Sequence, residues 1–93
     1  MIPIVLSERI RKTASKLPPE LREKCSLAIA EIGKSFGDPH RHRGLGLRKL
    51  AARSYEVRVA LQWRVDFLHI DDELIACDIM NHDQIVKWLK RMR

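Results

Sequence analysis

The stretch Tyr55–Val65, YEVRVALQWRV, decides the fold, because its alternation of apolar and polar residues is typical of two short strands joined by a turn. In a half-buried strand, successive side chains point to opposite faces of the sheet. Removing the apolar residues leaves two cationic side chains, Arg58 and Arg64. We therefore expect both guanidinium groups to lie on the face that points away from the core.

The same stretch predicts how its two strands pair. A two-residue loop at Leu61-Gln62 would place Val59 opposite Arg64 and mix apolar with charged side chains on both faces. A three-residue loop over 60–62 instead places apolar side chains opposite one another on one face and charged side chains on the other. The two loops differ in this way because a shift of one residue moves every side chain to the other face. The predicted apolar pairs are Val59–Trp63, Val57–Val65 and Tyr55–Phe67, and the predicted polar pairs are Arg58–Arg64 and Glu56–Asp66.

Similar reasoning extends the sheet by a second hairpin, with a three-residue loop over 71–73. The expected core-face pairs are Val65–Ile79, Phe67–Cys77 and His69–Ile75, and the expected polar-face pairs are Asp66–Asp78 and Arg64–Met80. A row of three acids, Glu56, Asp66 and Asp78, should therefore lie beside the two arginines.

Two interpretations of this polar face are open. Diagonal ion pairs, Arg58–Asp66 and Arg64–Asp78, would make a solvated lattice that contributes little stability. Alternatively, the two guanidinium groups would bind a phosphate, for which their planar fork of donors is suited, and the acids would hold them in place.

The elements around these hairpins complete an α+β pattern. The expected order is a short edge strand, two helices joined by prolines, a short strand, the two hairpins and a last helix, at Ile2–Leu6, Ser7–Leu17, Pro19–Phe36, Leu47–Leu50, Tyr55–Met80 and from Asn81 or Asp83 onward. We predict one domain over residues 1–93, with a small antiparallel sheet, an N-terminal helical hairpin packed on one face and a short C-terminal helix.

Composition narrows the class of protein. The chain has 93 residues, of which 45% are apolar and 32% charged, so it has the composition of a globular domain. Neither a membrane-spanning run nor a signal peptide is evident, and we expect a cytoplasmic protein. The net charge of +6 is concentrated before residue 54, where 12 Lys/Arg face 5 Asp/Glu. A surface this basic favours a polyanion or an acidic protein as the partner.

The two cysteines, Cys25 and Cys77, are expected to be reduced and to face the core. They do not form a zinc-binding pattern with the histidines. No cofactor or metal site is predicted, and Asp66 with Asp78 is the one alternative that could bind magnesium.

The run LRKL…YEVRV…WRVDF…DDELIACDIMNH, within Leu47–His82, resembles the RelE/ParE toxin superfamily of bacterial toxin–antitoxin modules. The order and spacing of the elements agree with that family over essentially the whole chain, although each motif is short. The resemblance implies one of two activities. RelE-like members are ribosome-dependent endoribonucleases that cut mRNA, and ParE-like members inhibit DNA gyrase. Both kinds are held inactive by a cognate antitoxin protein.

The resemblance also implies roles for individual residues. Arg64 matches the arginine that holds the scissile phosphate, and Arg58 a basic strand position that stabilises charge in the transition state. His82 matches a general acid or RNA-contacting position, and Glu56 a position at which a carboxylate serves as base in some members. Further RNA contacts are expected from the basic loop and the strand after it, namely Arg41, Arg43, Arg48 and Lys49.

These residues suit RNA cleavage by attack of the 2′-hydroxyl, which needs a base, an acid and positive charge near the phosphate but no metal. The sequence departs from many nuclease members because no tyrosine follows Tyr55. We therefore predict a metal-independent mRNA endoribonuclease acting at the ribosome. A ParE-like gyrase inhibitor without a catalytic site, or a catalytically degenerate member, are the alternatives.

Overall fold

A computed structural model of the chain describes residues 2–38, 46–60, 62–81 and 90–91. Within them lie two helices and five strands. In chain order these are β1 (Ile4–Leu6), α1 (Glu8–Ser15), α2 (Pro19–Ser35), β2 (Leu47–Ala51), β3 (Ser54–Arg58), β4 (Trp63–Ile70) and β5 (Glu73–Asn81). The predicted C-terminal helix lies outside the described residues, except for Lys90 and Arg91.

Local sequence signals set the limits of the two helices. Ser7 caps α1, because its hydroxyl oxygen accepts a hydrogen bond from the Ile10 amide at 3.0 Å. Pro19 begins α2, where its missing N–H costs nothing. Both of these boundaries confirm the sequence prediction. No helix in the described part of the chain is long and apolar enough to cross a membrane.

The strands form one sheet in the order β1-β5-β4-β3-β2. The sheet is mixed rather than wholly antiparallel as predicted, because β1 runs parallel to β5. The prediction was wrong here for a topological reason. A hairpin forces its strands to be antiparallel, whereas β1 reaches β5 only after the rest of the chain has intervened, so no turn dictates its direction.

Both helices pack on one face of the sheet, as predicted. Their buried side chains join those of the inner strands in a single core, formed by Ile10, Cys25, Ile32, Val57, Val65, Phe67, Leu74, Ala76 and Ile79. Cys25 is buried and Cys77 half-buried, and both are free thiols.

The first hairpin has the predicted register. Val57 lies opposite Val65 and Arg58 opposite Arg64, and the Val59 amide closes the loop by donating to the Trp63 carbonyl at 3.1 Å. The alternation of side chains along Tyr55–Val65 therefore predicted both faces of β3 and β4 correctly.

The second hairpin differs from the prediction near its turn. Its loop has two residues, Asp71 and Asp72, with φ of 50° and 62°. Two left-handed residues give the turn that matches the twist of the flanking strands, and aspartate tolerates this conformation better than most residues. Consequently Phe67 pairs with Ala76 rather than Cys77, and His69 with Leu74 rather than Ile75.

A β-bulge corrects the register between this turn and the rest of the hairpin. The register shifts between Asp66 and Phe67, and Cys77 is the extra residue on β5. Beyond the bulge the predicted pairs return, since Val65 lies opposite Ile79 and Asp66 opposite Asp78. The extra residue thus keeps the apolar side chains of β5 in the core on both sides of the bulge.

Candidate functional site

A polar row crosses four strands at positions that alternate with the core-facing residues of the sheet. Arg48, Glu56, Asp66 and Asp78 are successive cross-strand neighbours in this row. The adjacent row on the same face contains Arg58, Arg64 and Met80. The sheet therefore brings Arg58 and Arg64 together with three acids, as the alternating pattern predicted, and it adds Arg48, which that pattern did not include.

Glu56 is the carboxylate that links the arginines. Although its residue is only 4% exposed, its Oε1 lies 3.3 Å from Arg48 Nε and its Oε2 lies 3.8 Å from Arg64 Nε. The second distance is too long for a hydrogen bond, so that contact is an attraction between charges. Glu56 thus offsets the repulsion that two neighbouring guanidinium groups would otherwise produce.

The diagonal ion pairs of the first interpretation, Arg58–Asp66 and Arg64–Asp78, are not formed among the described residues. Neither carboxylate oxygen of Asp66 has a hydrogen-bond partner in the described part of the chain, and Asp78 accepts a hydrogen bond from Thr13 Oγ1 at 2.7 Å. The alternation of residues gave the face on which these groups lie. The alternation could not indicate which partner each carboxylate contacts, because that depends on residues that are remote in sequence, such as Thr13.

Arg64 is held by the loop that precedes it as well as by Glu56. It is 7% exposed, and its Nη1 donates to the Trp63 carbonyl at 3.2 Å and, at the limit of a hydrogen bond, to the Ala60 carbonyl at 3.5 Å. Arg58, by contrast, is exposed and has no ion pair among the described residues. One guanidinium is therefore fixed in place and its neighbour is available to a ligand.

These side chains line a cavity of about 360 Å³, bounded by Gly46, Leu47, Arg48, Glu56, Arg58 and Arg64. Among the described lining residues, three guanidinium groups and one carboxylate give an excess of positive charge. Gly46 has a φ of +72°, which favours glycine, and a Cβ at that position would lie 3.4 Å from Arg58 Cβ. The cavity is thus suited to an anion with several oxygen acceptors, such as a phosphate group.

Sequence reasoning did not find Gly46 or Leu47 as lining residues. The only signal was the glycine in the segment that precedes β2, and a glycine there is equally compatible with a simple turn. Their place at the cavity results from the pairing of β2 with β3, which sets Leu47 opposite Val57.

Asp66 is a buried acid behind the cavity. Its pKa is raised from 3.8 to about 7, and burial is the largest cause. The backbone amides of Asp66 and Asp78 lower this pKa in part, and the Asp78 carboxylate raises it. Those amides do not reach hydrogen-bond geometry with the Asp66 oxygens. Near neutral pH the Asp66 side chain therefore carries a proton in a large fraction of molecules.

Asp78 is stabilised by partners that Asp66 lacks. One of its oxygens accepts hydrogen bonds from Thr13 Oγ1 and from the Ile79 amide at 2.8 Å. Thr13 lies in α1, 65 residues away, and no feature of the sequence indicated the contact. Cys77, between Asp78 and the core, has its pKa raised to about 11 by burial first and by Asp66 next, so its thiol stays protonated.

Not every predicted site residue reaches the cavity. Lys49 is exposed and lies opposite Tyr55, on the other face of β2 from Arg48. Arg41, Arg43 and His82 lie outside the described residues. Within the described ranges, no group of three or more His, Cys, Asp or Glu side chains is arranged to hold a metal ion.

Substituting Glu56 tests its role as the link between the arginines. We expect Glu56→Gln to lower the free energy of unfolding by about 2–3 kcal/mol, because it removes the buried charge that compensates Arg64. Urea denaturation measures this change. Arg48→Gln is the matched control and should cost at most about 1 kcal/mol, because the Arg48 side chain is 69% exposed. Equal losses in the two variants would contradict the argument.

No protein-family model matches the chain, and no curated protein sequence matches it either. Solved structures do. The chain is similar to the RelB–RelE antitoxin–toxin complex from Methanococcus jannaschii, with a TM-score of 0.69, 16% sequence identity, and coverage of 90% of this chain and 96% of that one. It also resembles the isolated E. coli RelE toxin, with a TM-score of 0.65, 16% identity and full coverage of both chains.

A third similar structure is the archaeal RelE–RelB complex from Pyrococcus horikoshii OT3. Its TM-score is 0.65 at 13% identity, and the match covers 86% of this chain and 93% of that one. The chain therefore has the fold of the RelE toxins, as its resemblance to that superfamily predicted. At these identities the likeness establishes the fold and leaves the activity to be argued from the cavity.

Proposed function

We propose that this protein is the toxin of a toxin–antitoxin module and that it cleaves mRNA at the ribosome without a metal ion. The observation that carries the proposal is the cavity on a RelE fold, in which three arginines surround one carboxylate. A site of this charge is suited to the phosphate of an RNA backbone.

The proposed reaction is attack of a ribose 2′-hydroxyl on the adjacent phosphate, which expels the 5′-oxygen of the next nucleotide. Charge accumulates on the phosphate oxygens as the new bond forms. Fixed cationic donors lower the barrier most when they are already in place, because no reorganisation is then needed. Arg64, held by Glu56 and by the carbonyl groups of Ala60 and Trp63, has this property.

Arg58 is proposed to complete the phosphate contact. It is exposed at the end of β3, directly opposite Arg64. An exposed side chain can adjust to the substrate and contribute its charge as the transition state develops. Arg48 at the cavity wall, with Arg41, Arg43 and Lys49, is proposed to contact the RNA on either side of the scissile phosphate.

The acid–base groups are assigned partly from the resemblance. His82 is proposed as the general acid that protonates the leaving oxygen, since histidine titrates near neutral pH. Glu56 is the base that the resemblance implies. Its burial and its two arginine neighbours support a different role, in which it positions Arg64. In that case the proton of the attacking 2′-hydroxyl is proposed to pass to solvent water while Arg64 stabilises the charge on the phosphate.

A cognate antitoxin is proposed as the protein partner, and the cytoplasm as the compartment. Two of the similar structures are complexes of RelE with RelB. A chain of net charge +6 also favours an acidic partner.

Induced expression in bacteria with separate pulse labels for protein and DNA synthesis tests this function. We expect incorporation into protein to stop within minutes while DNA synthesis continues, with new 5′ ends in mRNA that lies on ribosomes. A halt in DNA synthesis with double-strand breaks would instead indicate gyrase inhibition. Harmless expression of folded protein would indicate a degenerate member. Either result would reject the proposed activity.

A further inference from the structure

A set of polar bonds joins α1 to β5 at the β-bulge. The Ser7 amide donates to the Ala76 carbonyl at 3.0 Å, and the Ser7 hydroxyl donates to the Cys77 carbonyl at 2.6 Å. Towards the other end of the helix, Thr13 Oγ1 donates to Asp78 Oδ1 at 2.7 Å. These bonds reach three consecutive residues of β5. The helix is therefore attached to the bulged segment near both of its ends.

Apolar packing alone holds α1 only weakly on the sheet. The helix has eight residues, of which Ile10 is buried and Ala14 is partly buried against the core. A helix this short is marginal in water without tertiary contacts. Arg22 of α2 donates to the Ala14 and Leu17 carbonyls at 3.1 Å each, but the Arg22 side chain is exposed, so water can replace it. The position of α1 therefore depends on its polar bonds to β5.

The acid that α1 contacts lies opposite a second acid. Asp66 on β4 is the cross-strand neighbour of Asp78. It is 0% exposed, and neither of its carboxylate oxygens has a hydrogen-bond partner in the described part of the chain. Asp78 is half-buried, and one of its oxygens accepts from both Thr13 and the Ile79 amide. Two such carboxyl groups avoid mutual repulsion only while one of them is protonated.

The charged and titratable groups of the described residues that face Asp66 come from three neighbouring elements. They are Glu56 on β3, Cys77 and Asp78 on β5, and Arg9 on α1. Glu56 is paired with arginines, and the Cys77 thiol stays protonated. Burial is the largest cause of the raised pKa of Asp66, about 7, and Asp78 raises this pKa more than Arg9 lowers it. Ionised Asp66 is therefore repelled by Asp78 more than it is attracted by Arg9.

We propose that Asp66 is a proton-controlled latch that keeps α1 on the sheet. While the Asp66 carboxyl group holds its proton, Asp78 keeps its bond to Thr13. When that proton passes to water, the two carboxylates repel each other, the Thr13 bond breaks, and α1 separates from β5 so that water reaches both acids. The strands stay together because β4 and β5 are paired along the whole length of β4. The inference goes beyond the proposed RNA cleavage and does not depend on it.

Separation of α1 uncovers a defined part of the core. Ile10, Ala14 and Cys25 line a crevice of about 110 Å³ between α1 and α2. The Cys25 residue is 2% exposed while the helix is in place. Once α1 has moved away, Cys25 is accessible to solvent. A thiol reagent therefore reports the opening independently of the helix itself.

Amide hydrogen exchange of the full chain, followed by NMR, measures the opening. The wild type is compared with Asp66→Asn at the same pH, so that the intrinsic exchange rate is the same for both. At pH 8.5 the amides of residues 12–15 should exchange at least about tenfold faster in the wild type, because this pH is more than one unit above the pKa of Asp66 and each unit corresponds to about a factor of ten. At pH 5.5 the two proteins should agree within about twofold.

Two further measurements separate this local opening from global unfolding. Opening of α1 exposes little surface, so its exchange should be nearly independent of low urea concentrations, whereas exchange at buried Val65 should accelerate with urea. In a Cys77→Ala background, Cys25 should react with a maleimide at pH 8.5 at least about tenfold faster than in the same background with Asp66→Asn.

Variants in α1 test the bond that forms the latch. Thr13→Val removes the hydroxyl group at similar volume and should speed exchange of the α1 amides at pH 5.5 at least about tenfold. Ser15→Ala is the matched control, because its hydroxyl lies in the same helix but donates to the Lys12 carbonyl and not to β5. Its exchange should stay within about twofold of the wild type.

Three results would overturn the proposal. They are equal exchange of the α1 amides in the wild type and Asp66→Asn at pH 8.5, a urea dependence of these amides that equals that of Val65, and unchanged exchange in Thr13→Val. Each is measured on folded protein, since exchange at Val65 reports global unfolding in the same sample.

Discussion

Arg64→Ala is expected to reduce mRNA cleavage in a ribosome assay by at least about 100-fold and to relieve growth arrest. The loss of a single preorganised donor to a developing anion commonly has an effect of this size. Arg64 meets that description because it is 7% exposed and is fixed by Glu56 and by loop carbonyls. The measurement is the rate of appearance of cleaved mRNA at saturating ribosome complex.

Two control variants distinguish a specific role of the Arg64 guanidinium from a general effect of positive charge. Arg64→Lys keeps the charge but loses the planar fork, so its rate should fall between those of the wild type and the alanine variant. Arg53→Ala removes a cation from an exposed turn and should leave the rate within about twofold. All variants are first compared by urea denaturation. A folded Arg64→Ala protein with wild-type activity would show that the arginine pair has no catalytic role.

Asp66→Asn is expected to stabilise the protein at pH 8 and to have little effect at pH 4. In the folded state the pKa of Asp66 is raised from 3.8 to about 7, chiefly by burial. The folded protein therefore binds a proton more tightly than the unfolded chain, and this contribution to stability is fully present below pH 4. It declines as the pH rises and is lost above pH 7.

At pH 8 we expect the free energy of unfolding of Asp66→Asn to exceed that of the wild type by about 3–4 kcal/mol. Each unit by which the pKa of Asp66 is shifted corresponds to about 1.4 kcal/mol. Urea denaturation of both proteins from pH 4 to pH 8 measures it, and comparing the variant with the wild type removes the effects of other titrating groups. Asp78→Ala is the control and should destabilise the protein, because it removes the oxygen that accepts from Thr13 Oγ1 and from the Ile79 amide. If the free energy of unfolding changed with pH in the same way for the wild type and for Asp66→Asn, the raised pKa of buried Asp66 would be contradicted.

The cross-strand neighbours in the site could be predicted from the alternation of residues along the strands. Alternation along Tyr55–Val65 placed Arg58 beside Arg64 and Glu56 beside Asp66, and the structure has these pairs. The pattern did not indicate which carboxylate contacts which guanidinium, since the interpretation with diagonal pairs named Asp66 and Asp78, whereas Glu56 contacts Arg48 and Arg64. Side-chain directions depend on burial and on partners such as Thr13, and these are remote in sequence.

The elements with local causes follow from the order of the residues along the chain. The Ser7 cap, the prolines before α2 and the register of the first hairpin each follow from residues a few positions apart. Three features depend on the tertiary structure: the parallel pairing of β1 with β5, the bulge at Cys77, and the burial of Asp66 without a hydrogen-bond partner among the described residues. Propensity, capping and alternation act between neighbours along the chain, whereas strand direction and desolvation are set by packing between segments that are far apart in it.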